Sequence, residues 1–226
     1  MSSLAVIKLK LHKVIDNFVD NHFEESSRNE VKENICVAGG SICSLIMDEI
    51  PKDYDFYFKS NPTKYAKLIK KELIVFETNN ALTLKGDFQI ITKFSGGPRQ
   101  VVEKFDFAHA ACYYDYASKE LYVHPKTYQS IATKSLIYVG SEYPLASLFR
   151  VNKFIKRGWN ISLGYLLKLV MDINKLMLSE PNVLKEQLEG IDIVYITNFL
   201  KDLKDGEIDK NKLFQLIDEN ELDDVG

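Results

Sequence analysis

The segment ICVAGGSICSLIMDEIPKDYDFYF, residues 35–58, constrains the fold of this chain more than any other. A short apolar run at 35–38 ends at Gly39-Gly40-Ser41, and an apolar helical turn and a second apolar run follow. Gly39 and Gly40 can take positive φ values and let backbone N–H groups come close to a ligand. Ser41 stands where a helix would begin, and a helix N-terminus favours a phosphate. The segment therefore predicts a strand, a phosphate-binding turn, a helix and a second strand.

Two acids, Asp53 and Asp55, belong to the second apolar run. Residues two apart on a strand point to the same face, where two carboxylates repel each other unless a cation lies between them. Mg²⁺ or Mn²⁺ suits oxygen ligands and commonly bridges to substrate phosphates. We therefore predict that Asp53 and Asp55 are ligands of Mg²⁺ or Mn²⁺ and that Gly39, Gly40 and Ser41 bind a phosphate. The alternative is a tight strand-to-helix turn with a solvated aspartate pair, but the aromatic neighbours favour a buried strand.

Composition excludes several classes of protein. Of the 226 residues, 46% are hydrophobic and 27% charged, which is typical of globular proteins, and the net charge of −3 provides no overall basic field for nucleic acid. The three cysteines lack metal-ligand spacing and are expected to be reduced. No apolar run approaches the roughly 20 residues of a membrane span, and the N-terminus lacks a secretory pattern. We expect a cytoplasmic protein without membrane partners.

Periodicity predicts the remaining elements. The first helix is expected over residues 4–24, with His12 and His22 on its surface, and a break is expected at 26–29. Further strands are predicted at 73–78, 81–85, 88–94 and 119–123, and helices at 99–104, 127–135, 162–178, 183–188 and 191–204, with a frayed acidic tail at 218–226.

A second informative stretch is KFDFAHAACYYD, residues 104–115. Asp106 lies between two phenylalanines, so an acid enters an apolar layer, where it must be paired, bound to metal or neutral. The ordinary interpretation is an acid held by backbone hydrogen bonds at a strand end. The functional one is a third carboxylate beside Asp53 and Asp55.

Three segments, in order, resemble the class II tRNA nucleotidyltransferase and poly(A) polymerase family of the nucleotidyltransferase superfamily. They are the Gly-Gly to Asp-x-Asp segment, KFDFAHAACYYD, and LFRVNKFIKRGW at residues 148–159. The resemblance covers about residues 35 to 159. It implies an α+β fold, with a mixed-sheet, polymerase β-like nucleotidyltransferase core followed by helices, in a short, phage-type member. We expect a head domain at residues 1–143 and a helical neck-like domain at 144–226.

The resemblance also implies an activity, the transfer of a nucleoside monophosphate from a nucleoside triphosphate to a hydroxyl, most simply an RNA (tRNA) 3′ end. Two divalent cations would assist at the catalytic residues Asp53 and Asp55, and Gly39, Gly40 and Ser41 would bind the nucleotide. Asp106 would complete the carboxylate set or orient the nucleotide sugar. Arg150 and Lys153, in the neck-like segment, would bind the nucleotide and balance its charge, although a solvated basic helix face is an equal alternative.

The sequence departs from this family at two places. Lys104 and Phe105 stand where the family has two arginines, and only Glu142 remains of its base-selecting EDxxR element, with Tyr143 and Ala146 at the other positions. The resemblance therefore does not fix the donor base or CCA addition. Transfer to a protein or small molecule, and binding without turnover, stay as alternatives. Two repelling acids disfavour binding without turnover, and the weak basic field favours a protein or small-molecule acceptor.

Overall fold

Seven strands form one mixed sheet in the computed structural model, which describes residues 3–78, 80–189 and 209–223. The strands are β1 (Ile35–Ala38), β2 (Tyr54–Phe58), β3 (Ile74–Glu77), β4 (Ala81–Leu84), β5 (Phe88–Ser95), β6 (Cys112–Asp115) and β7 (Leu121–Val123). Their spatial order is β3-β4-β5-β2-β1-β6-β7. The β2–β5 pair is parallel and the other neighbours are antiparallel. The predicted α+β fold with a mixed sheet is confirmed.

The described residues also form ten α-helices. They are α1 (Leu4–His22), α2 (Glu25–Asn34), α3 (Gly40–Ile46), α4 (Pro62–Lys67), α5 (Pro98–Val102), α6 (Thr127–Thr133), α7 (Pro144–Lys156), α8 (Leu163–Asn174), α9 (Pro181–Glu189) and α10 (Lys210–Asp223). Short strands β8 (Ser135–Leu136) and β9 (Asn160–Ile161) and a 3₁₀ turn at Lys71–Leu73 complete the described elements. No helix among the described residues is long and apolar enough to cross a membrane.

The chain divides into two units, Met1–Val139 and Gly140–Gly226. This division falls a few residues before the predicted junction between residues 143 and 144. The second unit contains α7 to α10. Its described core joins Ala146 of α7, Leu184 and Leu188 of α9, and Leu213 of α10. The predicted helical character of this part is therefore present.

One face of the sheet is closed by α1. The helix buries Ile7, Leu11, Ile15 and Phe18 at helical spacing. The Phe18 ring stacks on Phe56 of β2, with ring centroids 3.9 Å apart. The apolar side of α1 and the sheet thus form one core.

The opposite face of the sheet carries the candidate site. Cys36, Ala38, Tyr57 and Tyr113 lie on it, and Val101 and Val102 of α5 pack against them. Because α5 has only five residues, it covers only part of this face.

Several expectations were wrong in detail. The predicted break at residues 26–29 lies inside α2, and the acidic tail is helical through Asp223. His22 is buried and its Nδ1 bonds to the Phe18 carbonyl oxygen at 2.8 Å. His12 stacks on Tyr116 with centroids 4.3 Å apart, so neither histidine is a simple surface residue. The helix predicted at 191–204 lies outside the described residues.

Candidate functional site

The glycine turn joins β1 to α3. Gly39 has φ of 96°, a conformation that other residues rarely adopt, and its N–H donates to the Cys112 carbonyl oxygen at 3.1 Å. Helix α3 begins at Gly40, where a Cβ atom would meet no atom within 4 Å. The turn is therefore fixed on the side of β6 and open in front of Gly40.

Ser41 supplies a hydroxyl to the same turn. The residue is 5% exposed, and its Oγ is buried without a hydrogen-bond partner in the part of the chain that the structure describes. A buried hydroxyl in that state costs free energy, about 1–3 kcal/mol when a group is left unsatisfied. A ligand oxygen at the start of α3 would satisfy it.

Asp55 lies against this turn. It pairs with Ala38, the last residue of β1, in the antiparallel β1–β2 ladder. A Cβ atom built on Gly39 would be 3.7 Å from Asp55 Oδ2 and 3.6 Å from Phe105 Cε2. The structure thus brings the Asp55 carboxylate, the turn and the Phe105 ring together, and Phe105 occupies one of the two positions where arginine was expected.

Asp53 precedes β2 and is exposed, so it stands at the strand entrance and not within the strand. Among the described residues no group of three or more His, Cys, Asp or Glu side chains is placed to hold a metal ion. Mg²⁺ usually keeps several waters and binds through one or two carboxylates plus substrate phosphates. Asp53 and Asp55 fit that pattern, with the phosphate side provided by the open turn.

Asp106 is 7% exposed and lies near His109. The Asp106 carbonyl oxygen accepts a hydrogen bond from the Val139 N–H at 2.9 Å. Burial lowers the pKa of His109 to about 4, and the nearby Asp106 opposes this shift only in part. The structure therefore places Asp106 in a buried polar pair and does not gather it with the other two acids into one metal-holding group. Its assigned catalytic role stays a prediction.

His109 was not selected from the sequence. A histidine between alanines carries no motif, and only the fold shows that it is buried and close to an acid. Arg150 and Lys153 lie on α7 in the second unit, Lys153 exposed and Arg150 half-buried. Their predicted contact with nucleotide stays a prediction.

A cavity of about 260 Å³ opens beside α5 and β7. Its walls include Arg99, Tyr122 and His124, and the Arg99 guanidinium carbon lies 5.2 Å from the centroid of the Tyr122 ring. Burial, followed by the charge of Lys126, lowers the pKa of His124, so its ring is neutral at pH 7. The cavity can receive a small planar group, although no residue predicted for the site lines it.

A mixed sheet in which a glycine turn meets a strand aspartate defines the class: the chain has a nucleotidyltransferase fold like that of CCA-adding enzymes. The solved complex of a CCA-adding enzyme with ATP has a TM-score of 0.52 and 18% identity, over 80% of this chain and 46% of that one. The complex with CTP has a TM-score of 0.50 and 18% identity, over 83% and 46%. A tRNA-processing enzyme with CTP has a TM-score of 0.51 and 14% identity, over 72% and 49%. At these identities the likeness concerns the fold alone.

The sequence profile described as "Gabija anti-defense 2 family protein" matches residues 6–134, more than half of the chain. The chain belongs to this family. A curated relative, "Gabija anti-defense 2" of Bacillus phage SPbetaL7, is 23% identical over 214 residues, which are 89% of this chain and 52% of the relative. The chain thus spans about half the length of that relative.

Proposed function

We propose that this protein transfers a nucleoside monophosphate from a nucleoside triphosphate to a hydroxyl acceptor, with Mg²⁺ or Mn²⁺ as cofactor. One observation carries the proposal: the Asp55 carboxylate lies against the Gly39 turn, where the buried Ser41 hydroxyl is unsatisfied and the space in front of Gly40 is open. The fold of CCA-adding enzymes supports the same chemistry as an analogy.

Each residue of the site has a separate task in this proposal. The first backbone N–H groups of α3 and the Ser41 hydroxyl bind phosphate oxygens. Asp53 and Asp55 hold the cation, which neutralises phosphate charge and polarises the phosphoryl oxygen when bound. Phe105 closes one side of the turn. The acceptor hydroxyl oxygen then bonds to the α-phosphorus and its proton passes to solvent. The bond from the α-phosphorus to the bridging oxygen breaks, and pyrophosphate leaves.

Two features bear on the class of acceptor: the family to which the chain belongs and its net charge. A phage protein that counters a defence by nucleotidyl transfer would act on a component of that defence, inside the host cytoplasm where triphosphates are available. The relative's name, Gabija anti-defense 2, gives the reason to look there. The net charge of −3 favours a hydroxyl on a protein or small molecule. An RNA 3′ end, favoured by the resemblance to tRNA nucleotidyltransferases, is the second candidate.

Labelling separates the candidates. The protein is incubated with each of the four nucleoside triphosphates, labelled at the α-phosphate, first with total RNA and then with protein from cells carrying the defence. We expect Mg²⁺-dependent label in protein, and none with the Asp55→Asn variant. Label in RNA selects the second candidate. Label in no fraction, small molecules included, means that the fold binds without turnover and contradicts the proposal.

A further inference from the structure

Gln89 lies directly beside Asp55 on the neighbouring strand. In the parallel β2–β5 pair Asp55 is opposite Gln89, and Phe56 is opposite Ile90. Phe56 and Ile90 are fully buried, and Phe56 stacks on Phe18 of α1. Because successive side chains on a strand alternate between faces, Asp55 and Gln89 project together from the opposite face. The two strands are about 4.8 Å apart, so the side chains are immediate neighbours.

Asp55 has a neighbouring strand on each side. Toward β1 its carboxylate meets the Gly39 turn. Toward β5 it meets Gln89, which is half-buried and whose side chain makes no hydrogen bond to any residue within the described ranges. A half-buried amide beside a carboxylate has an oxygen available for a further ligand.

We propose that Gln89 is the third oxygen donor of this site, its amide oxygen binding the same divalent cation as Asp53 and Asp55. The inference rests on the proposed function, because it requires a cation at the two aspartates. Amide carbonyls are ordinary ligands for hard cations. They are therefore not excluded by the finding that the described residues contain no metal-holding group of three or more His, Cys, Asp or Glu side chains.

A neutral third ligand has a consequence for the order of binding. Two carboxylates offset the charge of one divalent cation, whereas a third would raise the cation affinity of the protein alone. With an amide, the cation affinity of the protein alone is modest and rises when triphosphate oxygens join. The site is therefore built to receive the cation together with the nucleotide.

Two substitutions at Gln89 test the role of the oxygen. Gln89→Met keeps the length of the side chain and removes its oxygen, so we expect Mg²⁺ and Mn²⁺ to bind about tenfold more weakly. Gln89→Glu adds a charge to the same oxygen position, so we expect both cations to bind at least tenfold more tightly. Thr83→Val is the matched control: Thr83 pairs with Gln89 from β4, one strand farther from Asp55. We expect its affinity to equal that of the parent.

Cation affinity of the full chain is measured without nucleotide, by calorimetric titration with MgCl₂ and MnCl₂ and by the cation-induced rise in Tm. If the Gln89 N–H groups instead hold the Asp55 carboxylate, Gln89→Glu weakens cation binding, and this result overturns the inference. Unchanged affinity in both Gln89 variants, with a parent that responds to cation, overturns it while leaving the proposed function intact. A parent that shows no response to the cations, either alone or with a non-hydrolysable triphosphate present, behaves like Asp55→Asn and overturns both. If Gln89→Met does not fold, Gln89→Ala takes its place, because it also removes the amide oxygen.

Discussion

At the scale of single residues, the two glycines of the turn have different tasks. Gly39 needs its positive φ, so Gly39→Ala strains the backbone and we expect a loss of about 1–2 kcal/mol in the free energy of unfolding. Gly40 starts α3 in open space, so Gly40→Ala is expected to be neutral or to stabilise by up to about 1 kcal/mol. The new methyl group would nevertheless occupy the space in which we propose that phosphate binds. Urea unfolding measures the change in the free energy of unfolding for both variants. The rise in Tm on adding triphosphate should be lost in Gly40→Ala. A full rise in that variant would show that the turn does not bind phosphate.

The buried His109 is expected to make the free energy of unfolding depend on pH. Its pKa is 6.5 in the unfolded chain and about 4 in the folded one, so the unfolded state binds the proton more readily. The contribution to stability is complete above pH 6.5 and is lost as pH falls toward 4. The shift corresponds to about 3 kcal/mol. Urea unfolding at pH 7.5 and pH 4.5 should show this loss in the parent, and His109→Gln should have a visibly flatter profile. An equal loss of stability between pH 7.5 and pH 4.5 in the parent and in His109→Gln would mean that His109 is not a buried neutral group.

The role of Asp106, the acid near His109, can be tested by substitution. Because its carboxylate is buried near a neutral histidine, Asp106→Asn keeps the shape and is expected to change the free energy of unfolding by less than about 1 kcal/mol. If Asp106 touches the nucleotide, the rate of transfer falls by about 100-fold or more. Initial rates and unfolding are measured on the same preparation. Full turnover would remove Asp106 from the site.

At the scale of elements, α1 attaches to the sheet through Phe18. Removing that ring leaves a cavity over Phe56, so Phe18→Ala is expected to cost about 3–5 kcal/mol. Leu9→Ala on the same helix is the control, since Leu9 is 57% exposed and should change stability by less than about 0.5 kcal/mol. Chemical denaturation of both variants compares the two faces. A similar cost for both would mean that α1 is not held by this packing.

The sequence allowed elements with strong apolar patterns to be predicted, as β1, β2 and the central part of α1 show. Helix α2 was missed because it buries only Val31 and its polar residues read as a break. Long-range bonds hold it: Arg28 donates to the Asp20 carbonyl oxygen at 2.8 Å, and Lys32 to Asp16 at 2.7 Å. Because these partners lie on α1, the sequence of α2 by itself does not indicate them. The pairing of Gln89 with Asp55 is likewise a product of strand order, since 34 positions separate them.

At the scale of the whole molecule, charge distinguishes the two acceptor classes. The chain carries 29 basic and 32 acidic side chains, so RNA could be attracted only by a local group such as the basic end of α7. Each phosphate contact made there would give a slope of about −0.7 in log affinity against log salt.

For a protein acceptor we expect that end of α7 to contribute little to RNA binding. Lys156→Glu, on the exposed end of α7, and Lys10→Glu, exposed on α1, make the same change of charge in different units. Affinity for a short single-stranded RNA, measured by fluorescence anisotropy at 50 and 200 mM KCl, should differ by less than about twofold between the variants. If Arg150, Lys153 and Lys156 of α7 and Arg157 just after it instead bound RNA phosphates, the parent's affinity would fall about fifty-fold over that salt range. Lys156→Glu would then bind far more weakly than Lys10→Glu, and an RNA 3′ end would replace protein as the acceptor.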